Sequence, residues 1–210
     1  MKRQAKWFLI PCAAMALTMG SALVSFAATG WAEENGEWVY YNNDGSKATD
    51  VFKKSGNNWF YLDSDGNMAK NQLIEDDDNY FYVNSAGAMV TNQWRSIENE
   101  DAGSDEPDEW WYYFQSNGKA VKKSGSSDNV KFVTLPKFTF DDEGRMLYGW
   151  IDESGEMLTD DDAWKSGMYY CSDNGDGRMA TGWKYITAVN DEDDDREGDG
   201  YWFYFSTNGK

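Results

Sequence analysis

Four consecutive aromatic or apolar residues, followed at a fixed distance by a glycine, recur along this chain. Trp38-Val39-Tyr40-Tyr41 leads to Gly45, Trp59-Phe60-Tyr61-Leu62 to Gly66, and Tyr80-Phe81-Tyr82-Val83 to Gly87. The same offset joins Trp111-Tyr112-Tyr113-Phe114 to Gly118 and Trp202-Phe203-Tyr204-Phe205 to Gly209. Gly45, Gly66 and Gly87 stand 21 residues apart, the mark of a repeat architecture. Aromatic runs bounded by Asn, Asp, Ser and Gly read as hairpin strands, here an aromatic strand, a polar turn ending in Gly, and a second short strand such as Asn67-Met68-Ala69. One hairpin alone is marginal in water, so neighbours must bury each other's rings. The expected fold is all-β, a solenoid of stacked β-hairpins.

Strand alternation sorts the aromatic residues into two sets, because successive side chains point to opposite faces. Positions 39/41, 60/62, 81/83, 112/114, 138/140, 169/171 and 203/205 are almost wholly apolar and form the expected core face. Cys171 belongs to it, as a buried and inert thiol. The other face carries Trp38/Tyr40, Trp59/Tyr61, Tyr80/Tyr82, Trp111/Tyr113 and Trp202/Tyr204. These amphipathic rings suit a wet cleft. They can enclose a quaternary ammonium by cation–π attraction, at about 0.5–2 kcal/mol per ring, or stack on sugar rings. They can also simply glue one hairpin to the next.

The array is expected as one domain over 30–210, with about seven hairpin units. Acidic insertions near 97–109 and 188–200 read as solvated loops, and the pattern is weakest between Lys122 and Lys137. Residues 1–27 read as a secretory signal: Lys2, Arg3 and Lys6 precede a mostly apolar stretch that ends at Ser25-Phe26-Ala27. Its removal takes the formal net charge from −18 to −21 and leaves Cys171 as the sole cysteine, so no internal disulfide is expected. That charge repels nucleic acid. No membrane span is expected once the signal is gone. The chain has no histidine, which removes His-dependent triads and His general bases. The acidic run from Asp191 to Asp195 has Arg196 where a calcium loop needs glycine. No catalytic residue, metal site or cofactor is expected.

Gly30-Trp31, Gly149-Trp150 and Met179-Ala180-Thr181-Gly182-Trp183, together with the aromatic runs, resemble the choline-binding or cell-wall-binding repeats of Gram-positive surface proteins and lysins. The resemblance spans nearly all of residues 30–210. It implies a β-solenoid in which aromatic residues of adjacent hairpins, joined by a methionine, cage the choline of teichoic acids; related repeats bind carbohydrate. Carried onto this chain, it adds Trp31, Trp150 and Trp183 to the cage residues named above, with Met68, Met89 and Met179, and also Met146, as the matching methionines. The sequence departs from the pattern at Asp50-Val51, Asn71-Gln72 and Asn92-Gln93, where Gly-Trp is expected, and Phe52, Leu73 and Trp94 follow one place later. Lys137, Thr139 and Met168 also replace aromatics.

The expected function is therefore non-catalytic attachment, secreted and cell-wall associated, to choline or saccharide units of envelope polymers. A glycan-binding module and a surface adaptor without working cages are the alternatives, and the array admits a homodimer. Binding is expected to be strongest around Trp31, Trp38, Trp59 and Tyr61, and again near Trp183, Trp202 and Tyr204. The stretch from Lys122 to Thr139 is expected to be silent.

Overall fold

The computed structural model describes residues 29–100, 102, 106–123, 137–160, 162–187 and 200–210. The expected signal, the run at 191–195 and most of the weak central stretch lie outside the described residues.

Four antiparallel hairpins open the array. β1 (Gly30–Glu34) pairs with β2 (Glu37–Tyr41), and β3 (Val51–Ser55) with β4 (Asn58–Leu62). β5 (Gln72–Asp76) pairs with β6 (Asn79–Val83), and β7 (Gln93–Glu98) with β8 (Glu109–Phe114). Further on, β9 (Gly149–Ile151) lies between β10 (Met157–Leu158) and β11 (Tyr169–Cys171), with the four-residue helix α1 (Ala163–Ser166) between β10 and β11 in the chain. β12 (Gly182–Ile186) pairs with β13 (Tyr201–Phe205). The fold is all-β, as the repeat implies.

Each aromatic strand takes its main partner from the segment before it, not from the short strand after the glycine. The reason is turn chemistry. Asn35-Gly36 and Asp77-Asp78 are two-residue tips with positive φ throughout, the geometry that matches strand twist. The glycine turn that follows each aromatic strand is wider and closes on single bridges, such as Leu62 with Met68 and Val83 with Met89.

Those short bridging strands serve a second purpose. They stitch each unit to an earlier one. Met68 N–H donates to the Trp38 carbonyl at 2.7 Å, Met89 to Trp59 at 2.8 Å, Ala120 to Tyr80 at 2.7 Å, Met146 to Trp111 at 2.7 Å and Met179 to Lys137 at 3.0 Å. One backbone hydrogen bond per step thus turns a string of hairpins into a solenoid.

The core face falls where alternation puts it. Val39, Leu62, Val83, Phe114 and Cys171 have no solvent exposure, and Phe140 and Phe205 are buried beside them. Full burial of each such side chain contributes about 1.5–3 kcal/mol. Phe81 is buried whereas Trp59 is 41 % exposed, but Phe60, Phe138 and Phe203 are half-buried, as are Trp38 and Trp111. These three phenylalanines are less deep than the core reading assigns, because they lie between hairpins. Burial pushes the Cys171 thiol up to about 12, consistent with an inert group.

Candidate functional site

The register resolves the departures from Gly-Trp. Trp31 pairs with Tyr40, Phe52 with Tyr61, Leu73 with Tyr82, Trp94 with Tyr113, Trp150 with Tyr170 and Trp183 with Tyr204. These six first-strand residues are equivalent. Where Gly30, Gly149 and Gly182 supply positive φ in the first set of units, Asp50, Asn71 and Asn92 supply it one place earlier in the second. Asp and Asn tolerate the left-handed region better than other non-glycine residues, so the ring still arrives on its tyrosine.

Four of the first-strand rings then meet the next hairpin. Trp31 lies 5.4 Å from both Tyr40 and Phe60, and Phe52 lies 4.9 Å from both Tyr61 and Phe81. Trp94 stands 5.2 Å from Tyr113 and 4.9 Å from Phe138, and Trp150 stands 5.1 Å from Tyr170 and 4.9 Å from Phe203. A gap between hairpins is therefore bordered by a first-strand ring and a phenylalanine of the neighbour, joined in the fourth gap by the leading aromatic Trp111.

The methionines close these gaps. Met68 packs against the turn glycine Gly87, Met89 against Gly118, Met146 against Gly177 and Met179 against Gly209. Any Cβ at Gly177 would fall 2.3 Å from the Met146 sulfur, so only glycine permits this seat.

The fourth gap is an open cavity of about 240 Å³, lined by Trp94, Trp111, Phe138 and Met146, with Gly175, Asp176 and Arg178 at its edge. Arg178 Nε is paired with Asp176 Oδ1 at 3.1 Å, and both side chains are exposed. The edge comes from a turn that runs eight residues from Cys171 to Met179, against six from Leu62 to Met68. Asn174 Nδ2 pins that turn by donating to the Glu109 carbonyl at 3.0 Å.

Other predicted residues are placed differently. Trp31, Trp38, Phe60 and Met68 give the first gap a full set of residue types, and Phe52, Trp59, Phe81 and Met89 do so for the second. In the third gap, Leu73 replaces a ring, Ala120 replaces the methionine, and Tyr82 and Tyr80 face the buried Tyr112 cluster. Trp150 is buried among Phe203, Phe205 and Tyr170, so its gap is filled by protein. Met179 joins a strand where Lys137 stands in place of Trp. Trp183 and Trp202 are each 65 % exposed and Tyr204 is 62 % exposed, with no ring of a following hairpin against them among the described residues.

Sequence reasoning missed Trp94 and Phe138 as cage walls and did not place Met146 at an open site. A signal existed for Trp94: Trp31, Phe52, Leu73 and Trp94 recur every 21 residues. Phe138 gave none, because its alternation phase marks it as core. Phe138 lines the fourth-gap cavity although it lies in the stretch expected to be silent.

Chemically the fourth gap offers flat π faces and a polarizable sulfur. Burial pushes the phenols of Tyr61, Tyr80 and Tyr112 up, Tyr112 to about 12, so these rings stay neutral. Among the described residues, no group of three His, Cys, Asp or Glu side chains could hold a metal ion. No described helix is long and apolar enough to cross a membrane.

A stack of hairpins with rings caged between neighbours defines a solenoid binding module. Residues 28–65 and 52–94 match the Choline-binding repeat, and residues 111–120 match a cell wall binding repeat. The choline-binding domain of CbpL from Streptococcus pneumoniae is similar, at 21 % identity and a TM-score of 0.50 over 87 % of this chain and 76 % of that one. Choline binding protein F of the same organism is 23 % identical, with a TM-score of 0.52 over 87 % of this chain and 51 % of that one. CbpJ, also pneumococcal, is 21 % identical, with a TM-score of 0.53 and the same coverages, 87 % and 51 %. The chain thus spans about half the length of the last two, and at these identities the likeness establishes the fold. No curated protein sequence matches. Residues 28–94 and 111–120 thus carry repeats of the choline-binding, cell-wall-binding family.

Proposed function

We propose that this chain is a secreted, non-catalytic cell-wall-binding protein that holds the choline groups of teichoic acid or a related envelope polymer in aromatic gaps between hairpins. The observation that carries the reading is the cavity of Trp94, Trp111, Phe138 and Met146. Three rings and a sulfur around an open space suit a quaternary ammonium, which has no hydrogen to donate and is attracted by π faces, and Arg178 on the same lining has its charge offset by Asp176. The net charge of −18 favours a cationic group over an anionic one.

The test is retention on a quaternary-amine resin. The protein is expected to stay bound at a sodium chloride concentration that screens simple ion exchange, and to elute when the same concentration of choline chloride replaces it. Elution by both salts alike would mean that only the acidic surface binds, and release by a glucan or wall saccharide but not by choline would favour the glycan-binding alternative.

A further inference from the structure

The first gap has the same wall residue types as the fourth, and a lysine of the neighbouring hairpin reaches toward it. Lys53 pairs with Phe60 across the β3–β4 hairpin, so its side chain leaves the face that is turned toward the first hairpin. Its ammonium stands 4.9 Å from the centroid of the Tyr40 ring. It also donates to Asn42 Oδ1 at 3.0 Å, which fixes it there. Trp31 edges against that same Tyr40 and against Phe60, both at 5.4 Å. A charged nitrogen on the chain itself thus sits on a ring that packs against Trp31, the first-strand wall of the gap.

We propose that Lys53, held on Tyr40, is a built-in ligand that closes the first gap to external choline. The inference rests on the choline reading given above. A tethered ammonium competes at the high effective concentration of an intramolecular group. It also repels a second positive charge brought within a few ångströms. The equivalent register position at the second gap is Ile74, buried and uncharged, and the cation there is instead Lys54, 5.9 Å from the centroid of the Trp59 ring. The fourth gap is lined by Arg178, whose Nε is held by Asp176 Oδ1 at 3.1 Å. A comparable contact is made at the third gap, where Lys122 lies 5.6 Å above Tyr80.

Two measurements test this. In the first, the number of choline molecules bound per chain is counted by equilibrium dialysis for the parent, Lys53→Met and, as control, Lys70→Met, whose lysine pairs with Glu37 on the surface. Lys53→Met keeps the apolar stem and removes the charge. It is expected to bind one choline more than the parent, and that gain is expected to persist in Lys53→Met/Trp94→Ala and to vanish in Lys53→Met/Trp38→Ala. In the second, independent of any ligand, the Lys53 Hε protons are expected to show an upfield ring-current shift by NMR that Tyr40→Leu abolishes. Equal choline counts in parent and folded Lys53→Met, with Trp94-dependent binding intact, would overturn this inference alone. An absent ring-current shift would overturn it as well. If neither protein binds choline, the choline reading falls and takes the inference with it.

Discussion

At the scale of single residues, the turn glycine and the methionine work as one unit. Gly177 has φ 60° and leaves the space in which the Met146 sulfur rests. Gly177→Ala asks an alanine to hold a left-handed conformation, at about 1–2 kcal/mol, and pushes the flexible methionine out of its seat. We expect a lower urea midpoint together with several-fold weaker choline binding. Met146→Ala is expected to weaken binding similarly without the backbone strain. If Gly177→Ala unfolds at the parent's midpoint and binds choline as the parent does, the methionine is not seated by that glycine. Neither role of this glycine was legible in the sequence, where the offset of the other units falls on Gly175. The contact joins Met146 to a glycine 31 positions on, and nothing local in either segment announces the pairing.

At the scale of elements, the hairpins were legible because their signal is local: aromatic runs, polar tips and glycines at one offset. The face division was equally legible for the inner ladder, since Val39, Leu62, Val83 and Phe114 follow a period of two. What alternation cannot supply is which face meets the neighbouring hairpin. Phe60 and Phe138 share the phase of the core ladder yet stand against Trp31 and Trp94 in the gaps. The first strands were misaligned by one residue for a related reason. The chain enters β3, β5 and β7 through Asp50, Asn71 and Asn92 at positive φ rather than through a glycine one place later. This predicts an asymmetry at Asn92, which has φ 51° and whose N–H donates to the Gln115 carbonyl at 3.2 Å. Asn92→Gly is expected to be neutral or slightly stabilising, whereas Asn92→Val should cost about 1–2 kcal/mol. Chemical denaturation of the two variants reads the difference directly. Equal midpoints would show that the left-handed entry into β7 is not required.

At the scale of the whole molecule, the array combines gaps of unequal quality on a strongly acidic body. Each gap alone is a weak site, since one ring contributes about 0.5–2 kcal/mol. A polymer that carries many choline groups can nevertheless be held firmly, because the second engagement is effectively intramolecular. The family resemblance was visible from Gly-Trp and the aromatic runs. The ranking of the gaps was not, because it depends on what fills each one: protein around Trp150, lysines over Tyr40, Trp59 and Tyr80, and open space between Trp94 and Phe138. The central claim is that this open space is the working choline site. Calorimetric titration of choline into the parent and into Trp94→Ala, with both folds verified by circular dichroism, tests it most directly. The account predicts saturable binding in the parent that Trp94→Ala weakens by about tenfold, in line with the loss of one cage ring. A folded Trp94→Ala protein that binds choline as tightly as the parent would contradict it.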